Sequence, residues 1–214
     1  MTARLPRVIC AALALGVLAA GALPATSWAQ TNQAEVGEPA PSFTLKAADG
    51  DTHSLSDFEG QYVVLEWLNF GCPFVGKHYG SGNMQRLQDT YTDEGVVWLS
   101  IVSSAPGKQG YYPPDEMVEQ KKKHDGNMTA ILMDPDGEVG KTYGATVTPH
   151  MYVISPEGEL LYRGGIDDKP TTDEADIEGA TNYVRMALDA AMNGEEVRPK
   201  RAEPYGCTIK YASK

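Results

Sequence analysis

Tyr62-Val63-Val64-Leu65-Glu66-Trp67-Leu68-Asn69-Phe70-Gly71-Cys72-Pro73-Phe74-Val75 passes from a β-rich, almost unbroken apolar run to a cysteine followed by proline. Such a run, with little polar alternation, reads as a strand covered on both faces, hence central in its sheet. Proline suits the first position of a helix, where its missing N–H costs nothing. Cys72 is therefore placed at a strand-to-helix turn. Unpaired N–H groups and the positive end of the helix dipole at such a turn favour thiolate over thiol. The commoner fate of a cysteine is to be buried and inert; this position predicts a nucleophile instead.

Downstream, Met84, Leu87 and Tyr91 keep helical spacing and predict a helix from Cys72 to about Thr92, ended by Glu94-Gly95. Val96 to Val102 is the next buried strand, and Pro113-Pro114 open a polar helix through Lys123 whose lysine run is a solvated face. Ala130 to Met133, a turn at Asp134-Pro135-Asp136-Gly137, a short helix, Met151 to Ile154 and Glu159 to Arg163 follow. The last two strands form a hairpin through Ser155-Pro156-Glu157-Gly158 and are antiparallel. Ile177, Ala180, Val184, Ala187, Leu188 and Ala191 predict a final helix, with Thr171 and Glu174 as its capping box. Upstream, Phe43 and Leu45 alternate before Ala48-Asp49-Gly50-Asp51, an N-terminal hairpin. The whole is an α/β pattern with a central mixed sheet flanked by helices, over residues 30–194. A polar C-terminal tail, 195–214, carries Cys207 in Pro204-Tyr205-Gly206-Cys207.

The chain has 214 residues, a formal charge of -11 and three cysteines. That composition suits one globular domain and excludes collagen, disorder and a disulfide-dense miniature scaffold. Residues 1–29 have the layout of a secretory signal peptide: Arg4 and Arg7, the apolar run Val8 to Leu23, and Ser27-Trp28-Ala29 as a small-x-small cleavage pattern. The apolar run is short for a membrane-spanning helix, which needs about 20 residues. Cleavage after Ala29 leaves a periplasmic or secreted protein with no stable membrane association. It also removes Cys10, Arg4 and Arg7, which moves the charge from -11 to -13. So acidic a surface repels phosphate backbones and anionic lipid, so no nucleic-acid partner is expected. In an oxidising compartment, Cys72 and Cys207 become candidates for a disulfide, structural or catalytic.

Val36-Gly37-x-x-Ala40-Pro41-x-Phe43-x-Leu45, then Gly50, Leu55, Gly60, Val63-Val64-Leu65-x-Trp67 and Cys72-Pro73, resembles the opening of the redoxins. These are the alkyl hydroperoxide reductase/thiol-specific antioxidant, peroxiredoxin-like branch of the thioredoxin-like fold. The resemblance covers residues 36 to 192 and implies that Cys72 is the peroxidatic cysteine. It also implies that Thr148-Pro149 is the fold's cis-proline, with the Thr148 backbone facing the cysteine. The sequence departs from that family at Asn69, where peroxiredoxins carry threonine, and at Leu65, where they carry proline. Asn69 is the residue expected to donate a hydrogen bond near the sulfur, and Arg163 is the candidate for the family's arginine.

The absence of cysteine at both Asn69 and Val75 rules out a Cys-x-x-Cys pair, so any resolving thiol in the mature chain is Cys207. Chain-terminal resolving cysteines occur in peroxiredoxins, and the resemblance permits a cycle in which Cys72 is oxidised to a sulfenic acid and Cys207 condenses with it. A permanent bridge is the other reading, since closing so long a loop stabilises by about 4 to 5 kcal/mol on the chain-entropy model. His150, after the expected cis-proline, falls near Cys72, whereas His78 turns elsewhere and, like His124, is structural or exposed. Cys72 and His150 alone are too few ligands for a metal, so neither metal nor other cofactor is expected. The acidic group Asp167, Asp168, Asp173 and Glu174 lacks calcium-loop spacing and reads as capping and solvated residues. The expected activity is reduction of a peroxide by Cys72, with an external thiol as reductant. The alternatives are exchange with the disulfides of exported proteins, or a non-catalytic binding protein with a structural Cys72–Cys207 bridge.

Overall fold

The computed structural model describes residues 34–213; the expected signal peptide lies outside them. Its centre is the apolar run Val63 to Trp67. Strand β3 (Val63–Trp67) is buried at every position, because it lies between β4 (Val97–Val102), parallel, and β7 (His150–Ile154), antiparallel. The sheet continues outward through β5 (Ala130–Met133) to the hairpin β1 (Thr44–Ala47) and β2 (Thr52–Ser54), and on the other side to β8 (Leu160–Gly164). The expected N-terminal hairpin is thus joined to the main sheet, β1 pairing antiparallel with β5. A separate two-stranded ribbon pairs β6 (Val147–Thr148) with β9 (Cys207–Thr208) in the tail.

Alternation along β3 divides the core. Val64 and Leu68 face the layer that holds Cys72, Val75, Tyr79, Met84, Leu87 and Leu188, while Val63, Leu65 and Trp67 face Phe43, Tyr143 and Tyr152. Helices α1 (Pro73–Gly80), α2 (Asn83–Asp93) and α5 (Tyr183–Met192) build the first layer. The short α4 (Glu138–Tyr143) belongs to the second, and α3 (Pro114–Lys123) buries Met117 and keeps Lys122 and Lys123 exposed, whereas Lys121, expected to be solvated, is half-buried and donates to the Met128 carbonyl (2.8 Å).

Two helices differ from the periodicity. The expected single helix from Cys72 to Thr92 is two, because Gly82 adopts φ 71°, a left-handed conformation open to glycine, and restarts the chain as α2. The final helix begins only at Tyr183, where the Asn182 side chain accepts from the Arg185 N–H. Ile177 instead ends a 3-10 turn, Glu174–Ile177. The cap of that turn is Asp173, which accepts from the Ala175 N–H at 2.9 Å, and Thr171 donates to Asp176 instead of forming the expected box with Glu174.

One charged residue sits in the middle of the central strand. Glu66 is fully buried, and its carboxyl accepts from Ser100 Oγ (2.9 Å), Trp98 Nε1 (3.0 Å), Tyr79 Oη (3.3 Å) and Gln88 Nε2 (3.4 Å). Burial outweighs these four donors and pushes its pKa up from 4.5 to about 7. The folded state therefore holds this proton more tightly than the unfolded chain. The resulting stabilisation is complete below pH 4.5 and is lost as pH rises through 7, about 3 kcal/mol in all. Urea unfolding from about pH 4 to about pH 8 should therefore show wild-type stability falling by about 3 kcal/mol more than that of Glu66→Gln. Parallel pH profiles for the two proteins would show that Glu66 does not titrate abnormally.

Candidate active site

Cys72 is the N-cap of α1, with Pro73 as the first helical residue, as the sequence predicts. Its N–H donates to the Asn69 carbonyl (3.0 Å), and its own carbonyl accepts from the Gly76 N–H (2.8 Å). The Asn69 side chain completes the turn, Oδ1 accepting from the Gly71 N–H at 2.9 Å. Asn69 thus shapes the loop carrying the sulfur: its side chain is turned to the Gly71 N–H rather than donating to Sγ as expected. Gln109 braces the same turn through the Gly71 carbonyl (3.0 Å). Phe70 stacks on His124, at the end of α3, at 4.6 Å and meets Tyr79 of α1 edge-on.

Cys72 is 1% exposed, and its sulfur lies between two backbone groups remote in sequence. The Cys72 thiol donates to the Thr148 carbonyl at 3.2 Å, and the Cys207 N–H donates to Cys72 Sγ at 3.4 Å. The Thr148-Pro149 bond is cis, and Thr148 is the register partner of Cys207 in the β6–β9 ribbon. Four sequence-predicted residues, Cys72, Thr148, Pro149 and Cys207, therefore converge on one point. Both cysteines are free thiols. The Cys207 thiol is pushed up to about 12, by burial first and then by its hydrogen bond and charge interaction with Cys72; Lys210 opposes this weakly.

The tail reaches this position along a fixed path. Arg163 N–H donates to the Lys200 carbonyl, Ile209 N–H to the Thr146 carbonyl, and Ala105 N–H to the Lys210 carbonyl. Gly206, φ 143°, passes so close to Thr148 that a Cβ there would lie 2.0 Å from the Thr148 carbonyl oxygen. No other residue type passes that point without displacing the ribbon. Beyond it, Ile209 is buried and Tyr211 lies against Gly137 and Gly140 of the α4 region, with its hydroxyl on the Ala145 carbonyl (2.7 Å). The polar tail of the sequence reading is thus packed along the domain.

Other expected neighbours lie elsewhere. His150 alternates to the opposite face of β7 from Met151 and Val153, and its ring lies 4.8 Å from that of Tyr152. Burial, then the charge of Arg163, lowers its pKa to about 3, so it is a neutral core histidine. Arg163 shares that face and donates to the Ala34 carbonyl at 2.9 Å, away from Cys72. His78 is buried in α1, its pKa lowered to about 4, chiefly by burial.

A buried polar cluster beside the tail was not legible in the sequence. Asp167, expected to be solvated, is 2% exposed and faces Lys77, 1% exposed, at 3.4 Å. Tyr205, two residues before Cys207, donates its hydroxyl to Asp167 and is reached by Lys77 Nζ (3.3 Å) and His78 Nε2 (3.2 Å). Its ring lies edge-on to Phe74, two residues after Cys72. The signal in the sequence was only a lysine and a histidine on an otherwise apolar helix.

Comparison with known proteins agrees with the redoxin resemblance. Residues 36–163, more than half of the chain, match the AhpC/TSA family. The Mycobacterium tuberculosis protein named "Putative peroxiredoxin" is 27% identical over 139 residues, 65% of this chain and 82% of that one. Thiol-disulfide oxidoreductase ResA of Bacillus thuringiensis is 25% identical over 127 residues, 59% of this chain and 68% of that one. Among solved structures, an uncharacterized conserved protein from Geobacillus kaustophilus superposes with a TM-score of 0.72 and 28% identity, over 87% of this chain and 97% of that one. A "Putative Thioredoxin" from Neisseria meningitidis shares the fold at a TM-score of 0.52 and 20% identity, over 72% and 89% of the two chains. The seven-stranded mixed sheet with flanking helices is therefore thioredoxin-like, and the chain belongs to the AhpC/TSA family of redoxin-fold thiol oxidoreductases.

Proposed function

We propose that this is an exported thiol peroxidase in which Cys72 attacks the peroxide and Cys207 resolves the product. The observation that carries this reading is the Cys207 N–H on Cys72 Sγ at 3.4 Å, which brings the second thiol to the first without a Cys-x-x-Cys pair. Cys207, pushed up to about 12, is a thiol at neutral pH, which leaves Cys72, at the helix N-cap, as the attacking residue.

In the first step the Cys72 thiolate attacks one peroxide oxygen. An S–O bond forms, the O–O bond breaks, and the leaving oxygen takes a proton to become water or an alcohol. In the second, the Cys207 sulfur attacks the sulfenic sulfur, the S–S bond forms and water leaves. An external thiol returns both cysteines to the reduced state by two exchanges. The Cys207 N–H and the Asn69 turn hold the Cys72 thiolate in place, while the Thr148 carbonyl accepts only from the protonated thiol; none of them supplies an electron or a proton to the balance.

Peroxide is favoured over a protein disulfide because the tail strand covers the β6 edge beside a cysteine that is 1% exposed. A small oxidant can reach such a residue, whereas a folded protein needs that strand to lift away. Exchange with disulfides of exported proteins is the second reading, supported by the likeness to ResA. Export rests on residues 1–29; among the described residues no helix is long and apolar enough to cross a membrane.

Intact-mass analysis after reduction, a brief peroxide pulse and dimedone trapping tests the assignment. Cys72→Ser should abolish both adduct and disulfide, while Cys207→Ser should raise the dimedone adduct on Cys72 severalfold. A wild-type Cys72 that stays unmodified in large peroxide excess would refute peroxidase function. The closure step has its own pH dependence, since it needs the Cys207 thiolate. Burial still raises this thiol once Cys72 is oxidised, so disulfide closure should accelerate steadily from about pH 7 to about pH 10. Stopped-flow fluorescence or quenched mass analysis reads this rate, and a plateau below about pH 8 would contradict the buried, protonated Cys207.

A further inference from the structure

We propose that Tyr205, held by Lys77 and Asp167, is a positioning residue: it latches the tail to α1 so that Cys207 stays in register with Cys72. The inference rests on Cys207 being the resolving thiol and adds what keeps it there.

Lys77 and Asp167 are side chains that folding normally keeps in water, yet both are almost wholly buried. Burial of such a pair is tolerable only when the remaining polar atoms find partners. Lys77 Nζ donates to the Lys169 carbonyl (2.6 Å) and to Tyr205 Oη (3.3 Å), and Asp167 Oδ1 accepts from the Lys169 N–H (2.9 Å) and from the Tyr205 hydroxyl. His78 Nε2 also meets the Tyr205 hydroxyl (3.2 Å), while its Nδ1 is turned to Asn83 (2.9 Å). Asp167 Oδ2 has no hydrogen-bond partner and only the 3.4 Å ion pair with Lys77 opposite it, so the carboxylate is already short of hydrogen bonds if the tyrosine leaves. The hydroxyl of one tail residue thus joins a helix and the loop after β8, and withdrawing it strips a buried carboxylate of a charge-assisted bond.

The geometry makes this bond local to the reaction. Tyr205 and Cys207 lie on either side of Gly206, which passes over the Thr148 carbonyl; Lys77 and Phe74 lie in the helix that Cys72 begins. Two points on the tail are therefore tied to two points on one rigid helix. A tail fixed at Tyr205 can rotate little at Cys207, and condensation needs no search.

The test uses the full mature chain with Tyr205→Phe, which keeps the ring against Phe74 and removes only the hydroxyl. Asp167→Asn, which keeps an acceptor oxygen but removes the charge opposite Lys77, is the second variant. Two quantities are read on reduced protein: the rate of Cys207 alkylation by a maleimide, and the rate at which a singly oxidised protein closes its disulfide. Closure is followed separately after hydrogen peroxide and after glutathione disulfide, where Cys207 or Cys72 displaces glutathione thiolate from the mixed disulfide as the S–S bond moves. Loss of one charge-assisted hydrogen bond should raise the undocked fraction about tenfold to a hundredfold. Tyr205→Phe should accordingly speed alkylation and slow closure with both oxidants, and Asp167→Asn, which leaves the buried Lys77 without its counter-charge, should move both rates in the same direction and at least as far. A merely structural tyrosine would lower the melting temperature and leave both rates within about twofold, which would overturn the proposal. So would faster alkylation without slower closure. If peroxide fails to oxidise Cys72 while the glutathione route responds to Tyr205→Phe, the latch stands and the peroxidase reading falls.

Discussion

The sulfur of Cys72 is held by a carbonyl and an N–H that come from opposite strands of a two-residue ribbon, and every other feature of the site serves to keep that ribbon where it is. The central strand β3 delivers the chain to Asn69, the Asn69 turn delivers Cys72 to the N-cap, and β7 delivers Pro149 from the neighbouring strand. The sheet is thus a rigid jig for two of the three segments. The third, the tail, meets the sheet only at a single bridge to β8, Arg163 to Arg201, and otherwise depends on what it meets along the surface.

What it meets is polar as well as apolar. Val197, Ile209 and Tyr211 supply ordinary burial, but the polar contacts of Tyr205 are with charges already removed from water. Such contacts are costly to lose, because the group left behind is desolvated and unpaired. They also demand one geometry, whereas apolar packing tolerates several. A chain end that must present one sulfur atom gains more from the former. Glu66 illustrates the opposite use of a buried acid: four donors surround it, yet desolvation still leaves it easier to protonate than an exposed glutamate.

The sheet, the hairpins and the reactive turn were legible in the sequence because each has a local signature: alternation, a Gly-containing turn, or a proline after a cysteine. The convergence of Cys72, Thr148 and Pro149 was legible only through likeness to redoxins, since no local pattern ties residues so far apart. Helix limits failed where single backbone torsions decide them, at Gly82 and at Asn182. Asp167 was misread because an acidic residue among acidic neighbours looks solvated, and only the fold shows that its neighbour in space is Lys77. His150 failed by one residue of strand parity: beside Pro149 in sequence, it points through the sheet to Tyr152.

The β6–β9 ribbon has a consequence for the company this protein keeps. A strand with a single neighbour becomes an open edge as soon as that neighbour departs, and open edges recruit whatever extended chain is nearby. At high concentration the nearest such chain is the tail of another copy, which carries the same Gly206-Cys207 and can make the same bonds. Exchange of tails would then produce a domain-swapped pair with intact active sites, each completed by its neighbour's cysteine. The length of chain from Met192 to Tyr205, and how firmly it is tied down along the way, sets the balance between self-sufficiency and reciprocal exchange.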